Sequence, residues 1–368
     1  MTTRLQELSG RRVYAPDLDA FLVEAMCRAG MTGADARTVA QALVTTDTMG
    51  VHTHGSKQLR PLLMHLRSGR LKATAKGELI GEGTGWALFD GHDAMPIVTA
   101  HRAMRAAIDK AGSSGIAYAG VRHTSHFGAA GYYARMALSK DMIGLAVCNV
   151  DPCMTVPGAK GKVMGTNPIA FAAPAGEERP VFLDIATSTV AASKVFAAGF
   201  LGKAIPDNWL VDDDGVPTTD ASTYPEQGAL LPMAGHKGYG LALLIEILAG
   251  ALTGAGMTSQ IKSWITDVDH DTNQGHAFIA INVGALMPVE QFKRRMDWLI
   301  RDIKHAEKGK GSDRIYLPGE MEWENRDRAL VEGMVLPDDV LDRLLGLAED
   351  WSVDIGMLYG GSAKGGLS

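Results

Sequence analysis

The sequence predicts a mixed α and β protein, in which a sheet-forming middle lies between two helical segments. Apolar residues recur at helical spacing in the first part of the chain, and helical patterns return in the last part. Between them, short apolar strands alternate with helices. We therefore assign 1–72 to a helical N-terminal segment, 73–300 to a mixed α/β region, and 301–368 to a C-terminal helical segment that packs on the N-terminal lobe.

The N-terminal segment contains three predicted helices, which cover 17–30, 34–49 and 57–67. Gly30 is expected to end the first helix, and Thr32 is expected to cap the second through its hydroxyl. The segment Gly50-Val51-His52-Thr53-His54-Gly55 interrupts the helical pattern before the third helix.

The middle region is expected to provide the sheet. Its predicted strands lie at 81–89 (as a hairpin), 112–121, 143–147, 169–173, 181–184 and 275–283. Its predicted helices lie at 98–110, 131–139, 189–198, 241–252 and 289–305. Residues 205–219 are rich in turns, and the DDDG run at 212–215 predicts a solvated turn rather than a calcium loop. Helices at 321–332 and 337–350 complete the chain, and its end after 360 is expected to fray.

Composition excludes several classes of function. The chain has 46% hydrophobic and 21% charged residues, a net charge of -6 and no basic block, which argues against nucleic acid as a partner. No apolar run approaches the roughly 18 residues of a membrane span; the run at 240–252 is interrupted by Glu246. Cys27, Cys148 and Cys153 form no CxxC pair, and the N-terminus lacks a signal-peptide pattern. We therefore expect a cytoplasmic protein.

Two turns carry pairs of histidines that are suited to proton transfer. His52 and His54 flank Thr53, and His123 and His126 flank Thr124-Ser125. Imidazole exchanges a proton near neutral pH, and a neighbouring hydroxyl can fix its tautomer. Spacing alone favours a helix cap with surface histidines at 52–54. A metal is disfavoured there, because no carboxylate partner lies nearby.

Three further segments carry polar groups suited to a ligand, and two of them contain glycines. Thr166 lies in a Gly-Thr-Asn-Pro turn that can bind a carboxylate or serve only as a turn. Asp184 follows a strand, where it can bind ribose hydroxyls, orient a histidine or cap the next helix. Lys237 lies among glycines before a helix, a pattern suited to phosphate. Because no Walker or GxGxxG pattern is present, a dinucleotide would need another binding mode.

A last polar cluster consists of Asp269, His270 and Asp271, with His276 beyond them. Metal binding is one interpretation of these residues, but a mobile polar loop is favoured. We therefore predict no metal site.

Six segments together resemble the malate/L-lactate dehydrogenase family, in the family's order and with similar gaps. That family includes L-sulfolactate, ureidoglycolate and 2,3-diketogulonate oxidoreductases and the piperideine- and pyrroline-carboxylate reductases. The six segments are 50–55, 125–128, 165–169, 183–188, 236–241 and 317–320.

The resemblance implies a non-Rossmann, L-sulfolactate dehydrogenase-like fold, with a mixed sheet and a helical lobe built from both ends of the chain. It implies that region 73–300 binds NAD or NADP, with NAD preferred, and a small carboxylate substrate. It also implies a homodimer whose active site is completed across the interface.

Residue by residue, the resemblance makes His54 the proton donor and acceptor, with Thr53 as its relay where the family usually has serine. His126 is then either the acid/base or a cofactor contact. Thr166 and Gln58 match substrate contacts, although the family often has an arginine at the position of Gln58, where it clamps a carboxylate. The implied cofactor contacts are His126, Phe127, Gly128, Ala129, Ala130, Asn149, Asp184, Ile185, Ala186, Lys237, Gly238, Pro318, Gly319 and Glu320.

The hypothesis from the sequence is reversible hydride transfer between a nicotinamide and a 2-hydroxy or 2-keto acid, with a histidine moving the proton. Three alternatives stay open. One is reduction of a cyclic imine carboxylate, and another is a dinucleotide-binding relative without catalysis. The third is a metal-dependent hydrolase.

Overall fold

A computed structural model describes residues 3–267 and 270–360 of the chain. Asp269, from the predicted polar cluster, and the predicted frayed end after Gly360 lie outside the described residues. Within these ranges, no helix has the length and apolar character that crossing a membrane requires.

Helices and strands alternate through the middle of the chain and give way to helices at its ends. The helices are α1 (Thr3–Leu8), α2 (Ala15–Arg28), α3 (Gly33–Thr48), α4 (Leu59–Arg67), α5 (Pro96–Ser114), α6 (Ala130–Met136), α7 (Ala192–Phe200), α8 (His236–Glu246), α9 (Val283–Leu286), α10 (Val289–Lys304), α11 (Glu320–Glu332) and α12 (Asp338–Trp351). The strands are β1 (Arg12–Val13), β2 (Glu78–Gly83), β3 (Trp86–Asp90), β4 (Ile116–Thr124), β5 (Met142–Cys148), β6 (Ile169–Ala173), β7 (Val181–Ile185), β8 (Leu210–Val211), β9 (Pro217–Thr218), β10 (Ala229–Leu230), β11 (Gln274–Asn282) and β12 (Met334–Val335).

The main sheet has seven strands in the order β2-β3-β4-β11-β5-β6-β7. Strands β3 and β4 are parallel, and the other neighbouring pairs of this sheet are antiparallel. A Rossmann sheet is mostly parallel. The prediction of a mixed, non-Rossmann sheet is therefore confirmed.

Helices cover both faces of this sheet. Helices α5 and α6 pack on one face, where Ala146 and Phe278 belong to the main core. Helix α8 and the π-helical turn Ile247–Ala251 pack on the other face, against Val147 and Ala277. Apolar side chains therefore point to both faces of β5 and β11, as a sheet buried on both sides requires.

Glycine lets helix α6 lie directly on the sheet. A Cβ at Gly144 in β5 would lie 2.1 Å from the backbone oxygen of Ala134 in α6. Gly144→Ala should therefore lower the free energy of unfolding by about 1–3 kcal/mol, since the helix backbone must shift. Gly112→Ala is the matched control, because a Cβ in α5 there meets nothing within 4 Å. We expect it to stabilise the protein by about 0.5–1 kcal/mol in urea unfolding; equal destabilisation of both variants would contradict the packing argument.

The two ends of the chain form one helical lobe, as predicted. Strand β1 pairs antiparallel with β12, and α12 packs on α2 and α4. Arg60 Nε donates to Asp350 at 2.8 Å, and Lys57 pairs with Asp339. The apolar residues of both ends and of the sheet belong to one core cluster. Helix α10 runs across residue 300, the predicted boundary between the mixed α/β region and the C-terminal helical segment.

Several element boundaries differ from the predictions for physical reasons. Helix α5 continues to Ser114 and ends at Gly115, whose φ of 81° suits glycine, so β4 begins only at Ile116. The predicted helix at 241–252 begins at His236 and ends as a π turn. The turn-rich segment 205–219 contains β8 and β9, which join β10 in a small separate sheet.

Candidate active site

The turn that carries His54 is held by a buried aspartate at the end of α3. Asp47 is 1% exposed. Its carboxylate oxygens lie 2.9 Å from His52 Nδ1 and accept the Ser56 N–H at 2.8 Å. A Cβ at Gly55 would lie 2.2 Å from the same carboxylate, so glycine is required for this close approach. Asp47 gives no signal in the sequence, because its contacts are made only after the chain turns back on α3.

Thr53 and Gln58 shape the immediate surroundings of His54. The hydroxyl of Thr53 lies 2.9 Å from His54 Nδ1, within hydrogen-bonding distance of the ring. The side-chain amide of Gln58 donates to the backbone oxygen of Thr53. Gln58 therefore stabilises the turn. The other ring nitrogen of His54, Nε2, has no partner among the described residues.

His126 lies beside His54, although the two come from different lobes. Their ring centroids are 5.5 Å apart. The His126 ring stacks on Trp264 at 4.5 Å between centroids. The Gly128 N–H donates to His126 Nδ1 at 3.3 Å. Since Nδ1 accepts a hydrogen bond, the neutral ring carries its proton on Nε2 and presents a donor there.

The surroundings separate the proton affinities of the two histidines. The His54 ring is exposed to solvent on one side, yet the protein around it lowers its pKa below 6.5 by partial burial. Burial, and then the nearby His54 and His276 rings, lower the pKa of His126 well below 6.5. His126 is therefore neutral at pH 7, while His54 lies closer to the range in which a proton is exchanged.

The other histidine of the second motif points away from this pair. His123 has a φ of 48° and its Nδ1 lies 2.9 Å from the carboxylate of Asp90. Arg122 Nε donates to the same carboxylate at 2.8 Å. His123 is thus part of an ion-pair cluster at the end of β3.

Phe127 is a core residue rather than a wall of the site. It is 2% exposed and lies between the rings of Tyr133 and His276, at 4.8 and 4.3 Å between centroids. Any cofactor contact at Phe127 is therefore limited to its backbone. His276 is fully buried in this stack, whereas His270 lies on an exposed loop, so the two do not form one site.

A buried polar network supports the loops around the histidines. Glu246 in α8 accepts hydrogen bonds from the side-chain amides of Asn149 at 3.3 Å and Asn167 at 2.7 Å. It also accepts the Thr258 N–H at 2.8 Å. The second donor of Asn149 goes to the backbone oxygen of Gly256, so the predicted cofactor contact of Asn149 has no free N–H. In the sequence, Glu246 stands out only because it interrupts an apolar run.

Thr166 is connected to the beginning of α8. Both the N–H and the hydroxyl of Thr187 donate to the backbone oxygen of Thr166, at 2.9 and 2.8 Å. The Met233 N–H donates to Thr187 O at 2.9 Å, and the Gly238 N–H donates to Met233 O at 2.9 Å. The Thr166 turn and the Lys237 segment, far apart in sequence, are therefore held together.

The N-terminus of α8 suits an anionic group. Its cap residue Gly235 has a φ of 61° and gives no side-chain hydrogen bond, and Lys237 is exposed. A Cβ at Gly235 would meet nothing within 4 Å, so the space beside it is open. Gly238 differs, since it packs on Met233. The N–H groups of Lys237 and Gly238 already donate to the backbone oxygens of Ala234 and Met233, so it is the exposed ammonium of Lys237 that remains to bind a phosphate.

Asp184 lies in β7, and its carboxylate faces the start of α6. Its carboxylate accepts the Gly131 N–H at 2.7 Å. Burial raises the pKa of Asp184 to about 6, partly offset by the Gly131 hydrogen bond and by Arg135. Ile185 and Ala186, which follow it, are partly exposed. The predicted contacts Ala129 and Ala130 lie next to Gly131, the residue that donates to Asp184, because α6 begins at Ala130.

The predicted contacts at 318–320 form the turn that leads into α11, and this turn packs against the same strand, β7. Phe182 N–H donates to Pro318 O at 3.2 Å, and a Cβ at Gly319 would lie 2.6 Å from Phe182 O. Glu320 is already engaged by Lys304, Arg314 and the Leu317 N–H. Burial alone would raise its pKa, but these partners lower the pKa of Glu320 to about 2. Glu320 therefore secures the Leu317–Gly319 turn through its carboxylate.

Comparisons with known proteins agree with this arrangement. The malate/L-lactate dehydrogenase family model matches residues 13–345. Malate dehydrogenase of Pyrococcus abyssi is 34% identical over 340 residues, which cover 90% of this chain and 93% of that protein. A Δ1-pyrroline-2-carboxylate/Δ1-piperideine-2-carboxylate reductase of Pseudomonas putida is 33% identical over 336 residues, covering 90% and 96%.

A solved structure shows the same fold. Sulfolactate dehydrogenase from Methanocaldococcus jannaschii superimposes with a TM-score of 0.87 at 32% identity, over 94% of this chain and 98% of that one. The mixed sheet, the shared lobe and the match over most of the sequence lead to one conclusion: the chain belongs to the malate/L-lactate dehydrogenase family.

Proposed function

We propose that this protein is an NAD(P)-dependent oxidoreductase that transfers hydride between a nicotinamide and C2 of a small 2-hydroxy or 2-keto acid. The observation that carries the proposal is the His54–His126 pair, with the Thr53 hydroxyl on His54 Nδ1. Asp184, Lys237 and the Pro318–Gly319 turn fit a dinucleotide, since they supply a carboxylate at β7, an exposed cation at the start of α8 and a tight backbone turn packed on β7.

In the proposed mechanism, His54 is the acid/base. With Thr53 on Nδ1, the free Nε2 accepts the substrate hydroxyl proton during oxidation and returns it to the carbonyl during reduction. The bound cofactor would supply the hydride acceptor or donor. His126 stays neutral and offers its Nε2–H to a substrate or carboxamide oxygen. Thr166 would contact the substrate.

The second candidate reaction is reduction of a cyclic imine carboxylate. The Pseudomonas putida relative, whose name gives this activity, supports it at a level of identity similar to that of the malate dehydrogenase. The same His54 would then protonate nitrogen rather than oxygen. A dinucleotide-binding relative without catalysis is disfavoured by the intact Thr53–His54 contact.

A substrate screen tests the proposal. Purified protein is assayed with 2-hydroxy acids, 2-keto acids and cyclic imine carboxylates, each with both forms of the cofactor, by nicotinamide absorbance. Turnover with hydroxy or keto acids supports the main proposal, and turnover confined to cyclic imines supports the second. Cofactor binding without turnover on any of them would reject both.

Gln58 is expected to determine how well carboxylate substrates bind. Because its amide braces Thr53 and carries no charge, it cannot neutralise a carboxylate. Gln58→Arg should therefore lower KM for 2-keto dicarboxylates by about tenfold, through a charge-assisted contact. Gln58→Leu, which removes the brace and adds no cation, is the control and should raise KM. If Gln58→Arg also raises KM for every acid, the substrate carboxylate lies elsewhere.

We also propose a cytoplasmic homodimer with α8 in its interface. Leu244 and Ile247 on this helix and its π turn are 47% and 49% exposed, and Leu241, Leu243 and Leu252 are exposed beside them. A contiguous exposed apolar face is typical of an interface. The same helix carries Lys237, so a partner here would adjoin the site. Leu244→Asp should give a monomer in light scattering after size exclusion; a wild-type monomer would reject the dimer.

A further inference from the structure

A pocket that neither His54 nor His126 lines lies beside α6. It has a volume of about 800 Å³ and opens between helices α3, α5, α6 and α11. None of the residues assigned above to catalysis or cofactor binding lines it.

The lining of this pocket is strongly cationic. Arg105 comes from α5, Arg135 from α6, Lys140 from the turn after α6 and Arg326 from α11. No ion pair joins any of these four to a carboxylate within residues 3–267 and 270–360. Asp109 is the one acid among the lining residues. An excess of unpaired positive charge in one recess is a feature of anion sites.

Arg135 shows how the cations are held without counter-ions. Its Nε is buried and has no hydrogen-bond partner. Its guanidinium lies over the rings of Phe182 and Trp323, at 5.5 and 5.3 Å from their centroids. Burial, and then repulsion from Arg326, lower the pKa of Arg135 to about 10, while Asp184 opposes this shift. A buried donor left unpaired next to a like charge is costly unless an anion binds there.

Neutral hydrogen-bonding groups complete the pocket. Gln41 and Thr45 project from α3, and His101 lies 3.3 Å from the hydroxyl of Tyr132. These groups can donate to oxygens while the cations balance charge, which is how proteins bind a phosphate.

The pocket adjoins the proposed cofactor residues through two helices. Helix α6 begins at Ala130, beside Asp184, and reaches Arg135 about one and a half turns later. Helix α11 begins at Glu320 and carries Trp323 and Arg326 into the pocket. A group extending from a ribose near Asp184 would therefore reach the cations.

From this arrangement we propose that the cationic pocket binds a phosphate monoester, and that its source is the 2′-phosphate of NADP. The proposal rests on the dinucleotide function argued above. The family resemblance favoured NAD, whereas the cationic pocket favours NADP. NAD has no 2′-phosphate and would leave the four unpaired cations without a ligand. A free phosphorylated metabolite has the same chemistry and is the other source to be distinguished.

The test compares the affinities for NADPH and NADH, measured by fluorescence titration of the wild type and of Arg326→Gln. We expect the wild type to prefer NADPH, and Arg326→Gln to weaken NADPH binding by about tenfold or more relative to NADH. Arg105→Gln probes the opposite wall and should act in the same direction. Arg328→Gln is the matched control, since Arg328 lies on the same helix and is exposed, with Asn325 as its partner.

A second measurement separates the two sources. Inorganic phosphate should raise the melting temperature of the wild type more than that of Arg326→Gln, and added NADPH should abolish this difference. A phosphate effect with equal NADPH and NADH affinities assigns the site to a free phosphate compound. No phosphate effect and no NADPH preference overturn the proposal. If neither dinucleotide binds, the proposed function fails, and the phosphate melting experiment alone decides on the pocket.

Discussion

Replacing His54 with alanine should lower turnover by about 10²-fold or more while cofactor affinity is retained. The physical reason is that, among the described residues, His54 Nε2 has no partner and lies in the ring beside His126, while the Thr53 hydroxyl occupies Nδ1. Steady-state kinetics and fluorescence titration measure the two quantities. His123→Ala is the matched control, because His123 contacts Asp90 instead; we expect its turnover to change less than about threefold.

The pH dependence gives the same prediction a second readout. Because burial lowers the pKa of His54 below 6.5, its neutral form predominates at pH 7. The rate of oxidation should therefore be level above pH 7 and fall as pH drops through that lowered pKa. The rate of reduction, which needs the protonated ring, should rise over the same interval. An unchanged turnover in His54→Ala, or identical profiles in both directions, would assign the proton to another group.

Glu246→Ala should cause the largest loss of stability, about 3–5 kcal/mol in the free energy of unfolding. The change leaves a cavity and removes the acceptor used by Asn149, Asn167 and the Thr258 N–H. Urea unfolding of the variant, followed by circular dichroism, measures this loss.

Two controls define what Glu246 contributes. Glu246→Gln keeps the volume and one acceptor oxygen, so it should lose less than Glu246→Ala. Glu226→Ala removes a carboxylate from an exposed position and should change stability by less than about 0.5 kcal/mol. If Glu246→Ala were no more destabilised than Glu226→Ala, the network would not support the loops.

Local signals were enough for much of the fold. The apolar spacing of Leu18, Phe21 and Leu22 predicted a helix, and these residues are buried in α2. Thr32 caps α3 as predicted, by accepting the Asp35 N–H. β6 was predicted at its observed bounds. These features depend on residues a few positions apart, which is why one sequence shows them.

The assembled site could be predicted only in part. His54 and His126 were selected from short motifs, but their proximity depends on where β4 ends relative to the helical lobe. Trp264, which stacks on His126, comes from a loop without regular spacing and gave no signal. In the sequence, Glu246 could be noticed only as a lone acid within a predicted apolar helix. The cations of the cationic pocket come from positions between Arg105 and Arg326 in the sequence, so only folding brings them together.

The pairing of β1 with β12 has a consequence for how the protein is made. During synthesis, the N-terminal helices leave the ribosome while their partners on α12 have not yet been translated. The turn that carries His54 gains the Lys57–Asp339 and Arg60–Asp350 contacts only when nearly the whole chain has emerged. The first helices therefore stay without these contacts until translation is almost finished, and a premature stop codon before Pro337 would remove Asp339 and Asp350 and leave Lys57 and Arg60 without these partners.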